Sequence, residues 1–308
     1  MSAVLVVGLP RSGTSWTGRV VGKADGAEFV HEPDGDHEPF AIRAKRGYGR
    51  HIALANDVDL PDYERLWAGA FSGGDRFPSF RSRVAERLFE TATLANRSAA
   101  RRLEPIPLRL RAGLMLSEPF GPIPNADHVV VKSVHASLCI EWITTRFQPR
   151  VLIVERDPRN VLASWMELGM GGDKRENQQL AHYAKATWDI ASPPPDAPKI
   201  VTRAFVFGVL ASALRAAAQR NSDWVVASHE SLCVDSYARF DALLQQLGLT
   251  FGARAQEYLA ASDQQGTGFR TQRVTQDQPE KWRERLSSDD VELLTQELAR
   301  FPFAFIGA

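Results

Sequence analysis

Gly8-Leu9-Pro10-Arg11-Ser12-Gly13-Thr14-Ser15 places two glycines around a short polar loop that runs into a helical stretch. Such a loop turns successive backbone N–H groups toward an anion at a helix start, where the helix dipole adds to them. Chains that move a terminal phosphoryl group put a lysine directly after the second glycine and hold magnesium with an aspartate at another strand end. Here Thr14 takes the lysine position, no strand presents a convincing aspartate of that kind, and the positive charge sits at Arg11. The loop reads as an anion cradle without the metal-assisted phosphoryl machinery. A second anion element is Val151-Leu152-Ile153-Val154-Glu155-Arg156, an apolar run that ends in arginine. Arg156 offers a planar donor fork to a phosphate, and Ser164, eight residues on, adds a hydroxyl if the following helix carries it back over the strand end.

Extended to Trp16, the first segment resembles the 5′-phosphosulfate-binding loop of sulfotransferases that use 3′-phosphoadenosine-5′-phosphosulfate (PAPS), in which Lys or Arg precedes Ser-Gly-Thr-Thr/Ser. Val151 to Trp165 resembles the same family's 3′-phosphate motif. The resemblance implies that Arg11, Ser12, Gly13, Thr14 and Ser15 hold the 5′-phosphosulfate, that Trp16 contacts adenine, and that Arg156 and Ser164 read the 3′-phosphate. Val225 to Leu232 is similar to a strand followed by Tyr-Glu-Asp-Leu, with His229 in place of the tyrosine as a purine contact; a helix-capping role around Ser228 competes with it. Gly266 through Trp282 occupies the place of the family's C-terminal 3′-phosphate loop, with Arg270, Arg273 and Lys281 as alternative contacts. Residues 34–127 resemble no part of the family and are expected to bind a small-molecule acceptor. The implied reaction moves a sulfuryl group from PAPS to an acceptor hydroxyl or amine and leaves 3′,5′-ADP. A sulfuryl group carries less charge than a terminal phosphoryl, so no metal is expected. The competing readings are a nucleotide kinase or NTPase and a non-catalytic nucleotide-binding protein.

In-line attack on sulfur needs a base at the acceptor and cations near the oxygens that gain charge. Glu32 is the first choice for base, because it follows a short strand in the place where several sulfotransferases of similar sequence carry a catalytic glutamate. His31 beside it is the second choice. Lys132 matches the lysine of the family's Lys-Thr-His segment and is the expected donor to the sulfuryl oxygens beside Arg11. His135 is displaced by one position from that segment's histidine, a shift that on a strand turns the side chain to the opposite face, and it ranks third. His31-Glu32-Pro33 and His37-Glu38-Pro39 echo each other, which offers Glu38 as an alternative base or the two segments as a metal cluster, but no regular element fixes them as metal ligands.

The elements that must position these residues alternate. Val4–Val7, Glu28–Val30, Val129–Val131, Val151–Val154 and Trp224–Ala227 read as strands. Helical stretches follow at Thr14 to about Gly22, Ala136–Arg146, Asn160–Leu168, a patch between Asp173 and Ser192, Arg203–Gln219, and a last one before Gly248. Within 34–127 only two helical patches stand out, near Asp62–Ala70 and Val84–Ala95. Val129–Val131, Ala136–Arg146 and Val151–Val154 suggest a right-handed βαβ unit. The expected architecture is a single α/β domain over residues 1–308, Rossmann-like and three-layered, with a central parallel sheet, a P-loop-like phosphosulfate loop and a helical elaboration.

Composition narrows the partners. Lys plus Arg and Asp plus Glu both total 37, so no global field steers nucleic acid to the chain, and any anion site must be local. Cys139 and Cys233 lack the spacing of a zinc site or a disulfide framework, which fits a reducing compartment. The run Val4–Val7 is too short for a signal segment. The longest apolar stretch, Ala204 to Leu214, falls short of the roughly 20 residues of a membrane span. A cytoplasmic protein without integral membrane association is expected, and its oligomeric state stays open.

Overall fold

The computed structural model describes residues 2–73, 79–121, 126–264 and 278–303. In chain order the elements are β1 (Ser2–Gly8), α1 (Thr14–Val21), β2 (Ala27–His31), α2 (Pro39–Ala44), α3 (Pro61–Phe71), α4 (Phe80–Glu90), α5 (Leu94–Arg101), α6 (Leu108–Leu116) and β3 (His128–Ser133). There follow α7 (Ile140–Phe147), β4 (Arg150–Glu155), α8 (Pro158–Leu168), α9 (Lys174–Trp188), α10 (Lys199–Arg220), β5 (Val225–Ser228), α11 (His229–Cys233), α12 (Ser236–Gln246), α13 (Ala253–Ser262) and α14 (Ser288–Leu298). The strands form one five-stranded parallel sheet in the order β2-β3-β1-β4-β5, flanked by helices. This is the expected α/β class. Valine-rich runs buried along their whole length, such as Val151–Val154, are what a parallel sheet covered by helices requires. β3 and β4 are not direct neighbours, because β1 lies between them.

The chain divides into two compact units, Met1–Val6 with Gly26–Arg150 and Val7–Asp25 with Val151–Ala308. In the first, β2 pairs with β3 in a register that sets His31 opposite Lys132. Among its described residues the segment expected to hold two helical patches contains five helices. The patch at Val84–Ala95 is broken: α4 stops at Glu90, and the Thr93 side chain accepts the Asn96 N–H to start α5. Such a cap contributes about 1 kcal/mol, enough to favour a new helix over continuation. Helix α2 packs against α3, α5 and α6, and Ile42, Phe89, Ala100, Leu110 and Leu114 close a separate small core around it. The stretch expected as one helix from Ala136 to Arg146 is a 3-10 turn, Ala136–Leu138, followed by α7.

In the second unit β4 and β5 pair from Leu152 opposite Val225 to Glu155 opposite Ser228. Pro158 opens α8 at the position where its missing N–H costs nothing, and the Asp157 side chain caps it through the Arg159 N–H at 2.8 Å. Helix α10 is longer than its apolar stretch indicated: over 22 residues it is long and apolar enough to cross a membrane by length and composition, and 78% of its most apolar window is buried inside the protein. It packs against α8, α9 and α14.

Candidate functional site

The loop after β1 is built by two glycines with different duties. A Cβ on Gly8 would lie 2.4 Å from the Val154 carbonyl oxygen and 2.8 Å from Ser12 Oγ, so only glycine lets the strand end approach β4. Gly13 has φ +89° and caps α1 without a side chain, and a Cβ there would meet His229 Cδ2 at 2.0 Å. Thr17 N–H donates to the Gly13 carbonyl at 3.0 Å, and Ser12 N–H closes a turn onto Leu9 O at 3.1 Å. No side chain caps the start of α1, so its first amides face outward with the positive end of the helix dipole. Ser12 Oγ is buried and has no hydrogen-bond partner among the described residues. Thr14 is buried and Ser15 half-buried on the first turn. A buried, unpartnered hydroxyl beside outward amides is costly unless an anion takes them up.

Arg11 stands in the left-handed region at φ 71°, a conformation that costs a non-glycine residue about 1 kcal/mol and recurs at ligand-binding sites. Its Nε donates to Ser164 Oγ at 2.9 Å, and its carbonyl accepts from Arg156 Nη1 at 3.1 Å. The structure therefore brings together Arg11, Arg156 and Ser164. Arg156 also donates to the backbone and side chain of Gln278 at 3.5 Å and lies 3.9 Å from Glu230. Burial pushes its pKa down to about 10, with Glu230 opposing the shift, and it stays charged at neutral pH. Three residues without an assigned role in the sequence hold this arrangement. Trp165 donates its ring N–H to the Pro10 carbonyl at 2.9 Å. Asn160 ties α8 to the C-terminal segment, donating to Pro279 O at 2.8 Å and accepting from Trp282 N–H at 3.1 Å. Gln278 is the third. Trp165 and Asn160 lie inside the 3′-phosphate motif, but nothing in the motif announces that they serve the loop and the C-terminal segment. Lys281 opens a 3-10 turn, Lys281–Glu284, that contacts α8. Arg270 and Arg273 lie outside the described residues.

Trp16 and His229 are neighbours, their ring centroids 5.6 Å apart and edge-on. Both are buried. Trp16 donates its ring N–H to Ser262 Oγ at 2.8 Å and packs edge-on against Phe240. Burial, with Arg156 adding, holds the His229 pKa well below the ordinary histidine value, so its ring is neutral. Ser228 accepts the Ser231 N–H as the cap of α11, which realises the competing role read from this segment.

In the first unit Glu32 follows β2 with φ 47°. Its N–H donates to the Lys132 carbonyl at 2.7 Å, and its carboxylate forms an ion pair with Lys132 Nζ. Lys132 is almost fully buried, at 1% exposure, so it is no solubilising strand-end charge. Burial alone would raise the Glu32 pKa, but the Lys132 ammonium, by charge and hydrogen bond, together with His31 and His37, holds it below the ordinary value. Glu32 is thus ionised at neutral pH, the form a base requires. His31 is half-buried, 6.3 Å from His37 between ring centroids.

Under this pair lies a buried polar network. Ser133 Oγ donates to the Asp34 carboxylate at 2.8 Å and accepts the His135 N–H at 3.0 Å. Lys45, fully buried at the end of α2, donates to the Asp34 carbonyl, while Asp36 gathers Lys45, Arg50 and Arg101. Burial raises the Asp34 pKa against the pull of Lys45 and Ser133. The one-residue argument against His135 assumed that it lies on a strand. β3 ends at Ser133, so alternation does not reach His135, which precedes the 3-10 turn. Its ring is buried against His51, its Nδ1 has no partner among the described residues, and burial with nearby cations holds its pKa well below the ordinary value.

The Glu32–Lys132 pair carries a prediction. The folded pKa of Glu32 lies below its unfolded value near 4.5, so the pair's contribution to stability is complete above that value and is lost as pH falls through the folded pKa. Lys132→Met removes the cation and is expected to cost about 3 kcal/mol at neutral pH, and less near pH 5, where the stranded carboxyl takes up a proton. Urea denaturation at the two pH values measures this. No loss at neutral pH would show that the pair contributes nothing, and equal losses at both would show that the stranded carboxyl takes up no proton near pH 5.

Among the described residues no group of three or more His, Cys, Asp or Glu side chains could hold a metal ion, and Cys139 and Cys233 are buried free thiols. No protein-family model matches the chain, and no curated protein matches it. Among solved structures it is similar to the sulfotransferase domain of the Synechococcus PCC 7002 olefin synthase, with 14% identity, TM-score 0.42, and coverage of 96% of this chain and 94% of that one. It is also similar to sulfotransferase STF1 of Mycobacterium tuberculosis H37Rv (11% identity, TM-score 0.40, 97% and 76% coverage) and STF9 of Mycobacterium avium (13%, 0.39, 99% and 78%). Identities and TM-scores at this level assign neither a family nor a chemistry to the chain.

Proposed function

We propose that this chain is a PAPS-dependent sulfotransferase that transfers the sulfuryl group to a hydroxyl or amine of a small-molecule acceptor and releases 3′,5′-ADP. The observation that carries the reading is Arg11: its backbone is held in the left-handed region, its guanidinium lies on Ser164 and its carbonyl on Arg156. One residue thus joins the anion loop to the second basic element, as a donor with phosphates at both its 5′ and 3′ positions requires. Ser12 Oγ, the amides of Gly13, Thr14 and Ser15, and the Arg11 side chain would hold the 5′-phosphosulfate. Arg156 and Ser164, with one of Arg270, Arg273 and Lys281, would read the 3′-phosphate, and the adenine would lie toward Trp16 and His229.

In the transfer the acceptor oxygen attacks sulfur, its proton passes to the Glu32 carboxylate, and the bond from sulfur to the 5′-phosphate oxygen breaks. Proton uptake neutralises Glu32 and releases the Lys132 ammonium from its partner. That ammonium and Arg11 then oppose the negative charge developing on the leaving phosphate. Two buried free thiols fit a reducing, cytoplasmic setting.

A kinase or NTPase is disfavoured by Thr14 at the lysine position. A thermal-shift comparison tests the reading. At a hundredfold excess over Kd, 3′,5′-ADP stabilises by about 2.7 kcal/mol, and ATP with magnesium is expected to do less. A larger shift with ATP and magnesium, or none with 3′,5′-ADP, removes the assignment. An acceptor screen with PAPS, following 3′,5′-ADP release, separates an enzyme from a protein that only binds the nucleotide.

A further inference from the structure

We infer that the cavity of about 260 Å³ in the first unit, beside the turn that carries Glu32, binds the acceptor and selects one that bears an ammonium or similar cation next to an apolar body. Calling the occupant the acceptor rests on the sulfuryl-transfer reading; the preference for a cation rests on the cavity itself. Its wall includes Pro33 and, from the stretch 34–127, Glu38, Phe40, Leu66, Glu86 and Phe120. Pro33 follows Glu32 directly, so an occupant touching it lies one residue from the candidate base. The volume falls just under the usual range of roughly 300–1,000 Å³ for small-molecule pockets, which suits part of a small molecule rather than a polymer.

The charges on the wall are unequal in their compensation. Glu118, which also lines the cavity, is taken up by Arg81 at 3.5 Å and by the Ser79 hydroxyl. Arg43 and Arg65, both near the Phe40 ring, are bound to Asp62 at 3.0 and 3.3 Å. The ion-pairing neighbour of Glu38 among the described residues is the exposed His37 ring at 3.6 Å. Glu86 has no ion pair or hydrogen bond through its side chain among the described residues. Burial raises the Glu38 pKa, His37 opposes the shift, and Glu86 adds to it. Half-buried Glu38 and exposed Glu86 therefore act on each other across a cavity whose wall mixes proline, phenylalanine and leucine with serine and these acids, and among the described residues no arginine or lysine lines it. A ligand ammonium relieves that repulsion with charge-assisted hydrogen bonds, whereas an anionic ligand adds to it. A neutral hydroxyl does neither.

Three phenols of matched length test this: tyramine with an ammonium, 4-propylphenol with a methyl in its place, and 3-(4-hydroxyphenyl)propionate with a carboxylate. Each is titrated calorimetrically into the full chain with 3′,5′-ADP present, and turnover with PAPS is followed in parallel. Tyramine is expected to bind about tenfold tighter than 4-propylphenol, and the propionate weakest of the three. The double variant Glu38→Gln/Glu86→Gln is expected to bring the tyramine to 4-propylphenol ratio close to one, while Glu90→Gln, on the same helix but outside the cavity wall, leaves it. A thermal melt of each variant separates loss of preference from loss of fold. No binding of tyramine up to its solubility limit, no preference for it, or a preference that survives the double variant overturns the inference. Preferential binding without any turnover leaves it standing and removes the transferase reading; turnover without the preference does the reverse.

Discussion

Glu32→Gln is expected to leave PAPS binding intact and to lower turnover by about 10²–10⁴. Glutamine keeps the shape of the side chain and an oxygen for Lys132, but it cannot take a proton. The structure sharpens the expectation in two ways. Lys132 holds Glu32 ionised, so on the proposed mechanism the carboxylate is ready to act as base at neutral pH, and its protonation would free the lysine for the leaving group. The variant loses both the proton acceptor and the trigger. It also leaves the buried Lys132 ammonium without a counter-charge, so some loss of stability accompanies the loss of rate and must be measured beside it. Single-turnover transfer at saturating PAPS is the readout, with His31→Ala and His135→Ala for comparison. Neither histidine variant is expected to lower the rate by more than about tenfold. A near-normal rate in Glu32→Gln, together with collapse in either histidine variant, would assign the base to that histidine.

Arg156→Ala is expected to weaken 3′,5′-ADP by about a hundredfold and 5′-AMP by less than about tenfold, because a charged donor fork to phosphate contributes roughly 1.5–3 kcal/mol. The motif alone would leave 5′-AMP untouched. The structure adds a smaller loss, since Arg156 also fastens the Arg11 carbonyl in the anion loop. Arg156→Lys keeps the charge and loses the planar fork, so it should recover part of the 3′,5′-ADP affinity. Calorimetry with the two nucleotides measures all three proteins. Equal losses for both ligands would remove Arg156 from the 3′-phosphate and make it a support of the loop only. Wild-type protein that binds the two nucleotides equally would remove the 3′-phosphate site itself.

What could be read from the chain alone was set by neighbours a few residues apart. The valine runs gave the strands, since a stretch without polar residues needs cover on both faces. Gly8 and Gly13 gave the loop, because only glycine tolerates the close approach at one and the left-handed backbone at the other. Pro158 marked the start of α8, and Arg156 at the end of an apolar run marked a basic group at a strand end. Each of these signals is steric or hydrogen-bonding chemistry confined to one turn or one strand.

The tertiary structure decided the rest, where the deciding partner is far along the chain. Lys132 was legible as a strand-end cation, but its burial and its pairing with Glu32 depend on a contact across 100 positions. Arg11 meets Ser164 across 153 positions and Arg156 across 145. Trp165 holds Pro10 across 155, so a residue that reads as an apolar helix position serves the anion loop. His135 was misplaced because the end of β3 is set at Ser133, where the hydroxyl binds Asp34 and takes the His135 amide, and no alternation of side chains foretells that bond. Glu38 precedes α2 and Glu86 lies within α4, far apart in the chain, and the packing of α2 with α4 makes them walls of one cavity. Side-chain type and spacing limit what a residue is able to do; the environment that burial and long-range pairing create sets its charge state, and that environment forms only when distant segments meet.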